Sequence, residues 1–362
     1  MKLPKLDELF NEQKKMQFWE EDKNLFVAGP PGSGKTSLAV FRAKFLKNLG
    51  KSVAVVTRNK MLAALTSQLD GDGLKTYTMN QFVGTAFYAR TKKSLPQFAR
   101  FVYDWAAIMD ASAEVEEVPD LDHLIVDEGQ NLPAAFFNWA VRYGAKNLTV
   151  FADEDQTTDS ERSSFSDICN AGMPLPERLT MNHRNTAEIA AVAEHFHRSK
   201  SLPPAIVQRR RGGEVPRLER YQSWDDLVGQ VSRRLANRAQ VIGVIVFRRD
   251  EVQLLRDKLK AALPDDARVE AYVSNGPDLP NSFRLLEPGV TVMSSESAIG
   301  LEFDVVYLQD LHRSLPCLVT EDFRRMYMLC ARARDSLVLV NGPEALNSNQ
   351  ISQLPGPDLL SR

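Results

Sequence analysis

Eight consecutive residues, Gly29-Pro30-Pro31-Gly32-Ser33-Gly34-Lys35-Thr36, fit the pattern GxxxxGK[ST] and restrict what this chain can fold into. The glycines let the backbone curl until its N–H groups converge on a phosphate. Lys35 is long enough to reach the outer phosphates, and Thr36 offers a hydroxyl to Mg²⁺. Such a loop works only between a buried strand and the start of a helix. Leu25-Phe26-Val27-Ala28 is an apolar run of strand length just before it, and Ser37–Leu49 has helical spacing just after. The helix N-terminus would add its positive end to the anion site. A nucleoside triphosphate with Mg²⁺ is the expected ligand.

A second constellation lies further on. His123-Leu124-Ile125-Val126 is apolar but for its first residue and delivers Asp127-Glu128-Gly129-Gln130 at a strand end. Ligands of α/β sheets sit at the carboxyl ends of strands. Asp127 would hold Mg²⁺, and Glu128 would orient and deprotonate an attacking water. An acidic pair after an apolar run is by itself an ordinary solvated strand end; the phosphate loop in the same chain gives it a reactive meaning.

Short runs of Val, Ile and Leu alternate with helical patterns along the whole chain, which reads as α/β with parallel sheets. Candidate strands are Leu25–Ala28, Ser52–Thr57, His123–Val126 and Leu148–Phe151, then Val241–Phe247, Val290–Met293, Val305–Leu308 and Leu337–Val340. Two such series suggest two lobes, residues 1–177 and 178–362, with the divide near Pro174 and Pro176. Aromatic residues crowd residues 85–119, which reads as a small helical insertion in the first lobe. We take its aromatic cluster as a core ahead of a surface on which bases stack. Arg209-Arg210-Arg211 reads as a solvated turn, and His195-x-His197 lacks further ligands at a spacing that would hold a metal.

The order of the motifs resembles that of the UvrD/Rep-type superfamily 1 helicases. Asp127-Glu128-Gly129-Gln130 is similar to that family's second motif, and Asn11-Glu12-Gln13 to its N-terminal glutamine motif. Phe151-Ala152-Asp153-Glu154-Asp155-Gln156 and Leu179-Thr180-Met181-Asn182-His183-Arg184-Asn185-Thr186 resemble the next two. Gly300-Leu301-Glu302-Phe303 and Tyr327 to Arg334 resemble the last two. The resemblance implies two RecA-like P-loop NTPase lobes, the first with the short helical insertion, and ATP with Mg²⁺ held between them. It assigns Gln13 to the adenine edge, His183 to stacking on adenine and Glu302 to the ribose. Gln156 would sense the γ-phosphate, and Arg184 and Arg332 would act as arginine fingers from the second lobe. The implied activity is ATP hydrolysis driving movement on single-stranded DNA, 3′ to 5′, with RNA left open as the strand. Strand contacts would come from Arg58, Asn59, Lys60, Thr78, Asn80, Ser294 and Ser295.

Two departures stand against that pattern. Glu296 and Ile299 occupy positions where the family carries His and Lys, and Ala331 replaces a Thr. Residues 186–290 also leave no room for a large accessory domain. Both favour an alternative, an ATPase switch that regulates a protein partner such as a nuclease in a repair or anti-phage complex. The net charge of −2 excludes a binder that works by a global basic field. No apolar stretch is long enough for a membrane span, and Cys169, Cys317 and Cys330 show no paired spacing, so a cytoplasmic protein is expected.

Overall fold

A computed structural model of the chain describes residues 8–58, 60–70, 73–153, 163–198, 205–207, 213–273 and 284–362. These residues form two units. One comprises the described part of Leu3–Pro30 with Gly34–Thr180; the other comprises Met181–Arg362, with the loop tip Pro31–Ser33 grouping alongside it.

The N-terminal unit is built on a six-stranded sheet whose pairings are all parallel. From one edge the strands run Lys75–Thr78, Val53–Thr57, His123–Val126, Asn147–Ala152, Leu25–Ala28 and Glu177–Arg178. The apolar runs are continuous because both faces are covered. Leu25 and Val27 pack with Leu38, Ala39 and Ala43 of the helix Lys35–Asn48, whereas Phe26 points to the opposite core. That second core gathers Phe82, Phe87, Ile108, Phe136 and Trp139 from the helices Met79–Thr91, Trp105–Ala113 and Ala134–Trp139. The segment expected to be helical also holds a short antiparallel hairpin, Gln97–Ala99 with Val102–Tyr103. Phe87 is buried, while Phe98 and Phe101 on the hairpin are exposed.

Two buried polar side chains brace this unit. The guanidinium of Arg42, on the phosphate-loop helix, donates to the carbonyls of Gln17, Trp19 and Glu20. It thereby ties the end of the helix Asn11–Gln17 to the helix that follows the loop. His123 is fully buried, with Nε2 2.8 Å from the Thr149 hydroxyl. Burial, followed by the Arg42 cation, pushes its imidazole down from 6.5 to about 3. The folded state therefore keeps His123 neutral, while the unfolded chain protonates it as the pH falls below its ordinary value. Acid should cost stability at up to about 1.4 kcal/mol per pH unit over that window. His123→Asn lacks this titration, so the gap in unfolding free energy between wild type and variant should shrink from about pH 7 to about pH 4. Denaturant curves at several pH values measure it, and parallel curves would contradict it.

The C-terminal unit repeats the plan. Its sheet runs Arg217–Arg220, Ala333–Asn341, Phe303–Leu308, Val241–Val246, Gly289–Ser294 and Val269–Tyr272, again with every pairing parallel. Val231, Val252, Leu255 and Leu259 from the helices Trp224–Asn237 and Arg249–Ala262 cover one face. All eight strands expected from sequence are present, and the fold class is α/β with two parallel sheets. Edge strands such as Lys75–Thr78 and Arg217–Arg220 escape a sequence reading because their faces are only partly covered. No helix among the described residues is long and apolar enough to cross a membrane.

Candidate nucleotide site

The strand Asn147–Ala152 lies between the phosphate-loop strand and the strand that delivers Asp127. Ala28 pairs with Ala152, and Val126 with Val150, so residues 29, 127 and 153 leave the sheet at the same edge. Topology alone thus gathers three loops that are distant in sequence.

Gly32 and Gly34 hold positive φ, 80° and 85°, a region where glycine pays no Cβ penalty. Gly34 is also the N-cap of the helix Lys35–Asn48 and offers no side-chain cap. The first N–H groups of that helix are thereby left for an anion. Lys35 is buried, and its ammonium donates to the Gly29 carbonyl at 2.6 Å, to the Pro30 carbonyl at 3.0 Å and to Asp153 at 3.4 Å. The loop therefore presets its own cation.

Asp127 is completely buried. One oxygen accepts from the Glu128 N–H at 3.1 Å, and Oδ2 has no hydrogen-bond partner among the described residues. Burial, followed by the Glu128 carboxylate, pushes the Asp127 carboxyl well above the usual carboxylate range, against the pull of Thr36 and Lys35. A bound cation would relieve that cost, and the orphaned Oδ2 of a carboxylate that Thr36 also approaches fits one. The residues present therefore suit a magnesium–triphosphate group.

Glu128 adopts a left-handed conformation, φ 57°, which is strained for a residue with a side chain. Its carboxylate accepts from the Gln130 amide at 2.6 Å, while Gln130 Oε1 accepts from the Asp153 N–H at 3.0 Å. Gln130 thus braces Glu128 against the neighbouring strand end. Gly129 fits between them because a Cβ there would stand 2.7 Å from Val150 Cγ1. Gly129→Ala should lower stability by about 1–3 kcal/mol through this overpacking. Urea unfolding checks it; an unchanged midpoint would contradict the contact.

Gln13 is buried, and its Oε1 accepts from the Phe10 N–H at 3.1 Å. Its amide nitrogen lies 2.9 Å from where a Cβ on Gly34 would sit, so the glutamine stands against the phosphate loop. In the C-terminal unit Arg184 forms an ion pair with Glu302. Asn182 caps the backbone of Arg184 and Asn185, and Asn185 donates to the carbonyls of Ala331 and Ala333 at 3.1 and 2.6 Å. Arg332 is buried, donating to the Met328 and Leu301 carbonyls. The segments carrying Arg184, Glu302 and Arg332 are therefore knitted into one piece. His183 is half-buried.

Of the strand-contact candidates, the Thr78 hydroxyl caps the helix Met79–Thr91, and Ser294 is buried with its hydroxyl 2.9 Å from that of Ser297. Ser295 is also buried, Arg58 and Asn80 are half-buried, and Lys60 opens a helix and is exposed. Gln156, Asn59 and Arg209-Arg210-Arg211 lie outside the described residues. His195 and His197 are engaged by the Gln353 carbonyl and by Glu194, each at 2.8 Å. Sequence reading missed Gln130, Asp153 and Asn185 as positioning groups. Each stands inside a quoted motif, but only the contacts reveal its duty.

A family model described as an AAA domain matches residues 13–161, a span that contains Gln13, the phosphate loop and Asp127-Glu128. Among solved structures, the PRRSV helicase is similar at 12% identity and a TM-score of 0.46, over 94% of this chain and 56% of that one. The C-terminal domain of a possible DNA helicase from Lactobacillus plantarum WCFS1 is similar at 23% identity and a TM-score of 0.35, over 49% of this chain and 96% of that domain. The chain spans little more than half the length of the PRRSV protein that it matches.

Proposed function

We propose that this chain is an ATP-driven nucleic-acid motor of the superfamily 1 type, hydrolysing ATP to move along single-stranded DNA from 3′ to 5′. The observation that carries it is the grouping of Lys35, Thr36, Asp127 and a braced Glu128 at the carboxyl ends of adjacent parallel strands. Lys35 and the backbone N–H groups of Gly32, Ser33 and Gly34 receive the phosphates. Thr36 and Asp127 would hold Mg²⁺, which when bound neutralises charge developing on the transferred phosphoryl group. Glu128 accepts the proton of the attacking water. Gln13 takes the adenine edge, His183 its face, and Glu302 the ribose. Gln156 senses the γ-phosphate, and Arg184 and Arg332, supplied by the C-terminal unit, stabilise transition-state charge.

Glu296 and Ile299 favour a second reading, an ATPase switch for a protein partner such as a nuclease. Streptavidin displacement from end-biotinylated oligothymidylate separates the two. A 3′-to-5′ motor clears the 5′ end in an ATP-dependent way and leaves the 3′ end occupied. Hydrolysis without release at either end would overturn the motor and leave the switch.

A further inference from the structure

In the C-terminal unit, Val246 and Ser294 are register partners at the carboxyl ends of two adjacent parallel strands. Three residues beyond the first is Arg249, and two beyond the second is Glu296; their side chains form an ion pair, both about half exposed. Carboxyl-terminal crevices of this kind are where α/β sheets bind ligands.

Arg249 is the first residue of the helix Arg249–Ala262. A cation there faces the positive end of the helix, so the position disfavours it, and local stability gives no reason for the choice. Its neighbour Arg248 is already held by Asp250, at 2.9 and 2.6 Å. Glu251 in the same turn lies 3.7 Å from Arg313. Glu296 thus neutralises an arginine that its own element leaves exposed and electrostatically misplaced.

We propose that Arg249 is a phosphodiester contact for the single strand and that Glu296 is its resting counterion, displaced when the strand arrives. This rests on the motor reading above and adds a site and a control to it. An exposed pair is worth at most about 1 kcal/mol, so it opens readily. A phosphate then offers the guanidinium a two-pronged, charge-assisted bond in its place. Glu296 sets the affinity low enough for the strand to be released, which a moving protein requires.

Anisotropy of a fluorescein-labelled oligothymidylate, titrated with the whole chain at several salt concentrations, tests this. Glu296→Gln should bind about three- to five-fold tighter. Arg249→Ala should bind more weakly, with the slope of log affinity against log salt reduced by about 0.7. The double variant should match Arg249→Ala, because Glu296 then has nothing to occupy. A gain from Glu296→Gln that persists in the Arg249→Ala background would overturn the pairing and leave only a general charge effect. Wild-type binding unaffected by either change would remove the contact but keep the motor. A wild-type chain that binds no strand would overturn both.

Discussion

Glu128→Gln should retain ATP with wild-type affinity and hydrolyse it on the order of 10²- to 10⁴-fold more slowly. The amide keeps an oxygen to accept the Gln130 hydrogen bond, so the brace to the Asp153 backbone survives. What is lost is the basicity that the proposed reading assigns to this carboxylate. The Glu128 carboxylate also opposes ionisation of Asp127, second only to burial. Removing that charge eases ionisation of Asp127 and leaves metal binding unharmed. Single-turnover hydrolysis alongside filter retention of labelled ATP checks both halves. A rate within a few-fold of wild type would remove Glu128 from the chemistry.

Lys35→Ala should lose turnover by about 10²- to 10³-fold or more, together with ATP affinity, because it removes the buried cation that the proposed reading assigns to the outer phosphates. A second consequence is structural. Lys35 and Asp153 are both buried, 6% and 0% exposed at the side chain, and lie 3.4 Å apart. Truncating the lysine leaves Asp153 without that cation, which is costly for a buried group. Lys35→Ala should therefore also melt at a lower temperature, and Lys35→Ala with Asp153→Asn should regain part of that loss without regaining turnover. Recovery of hydrolysis in the double variant would contradict the role of Lys35.

The buried centre of each sheet is legible because strands covered on both faces must be apolar throughout, as Leu25–Ala28 and Val241–Val246 are. Lys75-Thr76-Tyr77-Thr78 and Val269-Glu270-Ala271-Tyr272 carry no such mark. Their strand state is imposed by the ladder of the neighbouring strand rather than by their own composition. The aromatic segment shows the same limit. Phe87 and Phe98 look alike in sequence, yet one is on the buried face of a helix and the other sits exposed on a hairpin.

In the proposed site, the residue types suited to phosphate, metal and water stand out in the sequence, since each ligand demands a particular group. Their supports are not. Gln130 braces Glu128 from two residues away, but Lys35 meets Asp153 across 118 positions of sequence, and Asn185 reaches Ala333 across 148. Only the parallel crossovers bring these together. Glu296 is the opposite case: its identity stood out as a departure from the motif pattern that the sequence resembles, and its partner Arg249 became visible only in the fold.

The most direct test is steady-state ATP hydrolysis followed as oligothymidylate is added to wild type and to Arg332→Ala. Wild-type turnover should rise saturably by at least about tenfold, a span of some 1.4 kcal/mol in the barrier. Arg332→Ala should hold ATP but show little of that rise. A wild-type rate indifferent to the strand, or an Arg332→Ala rate that climbs in step with it, would contradict the account.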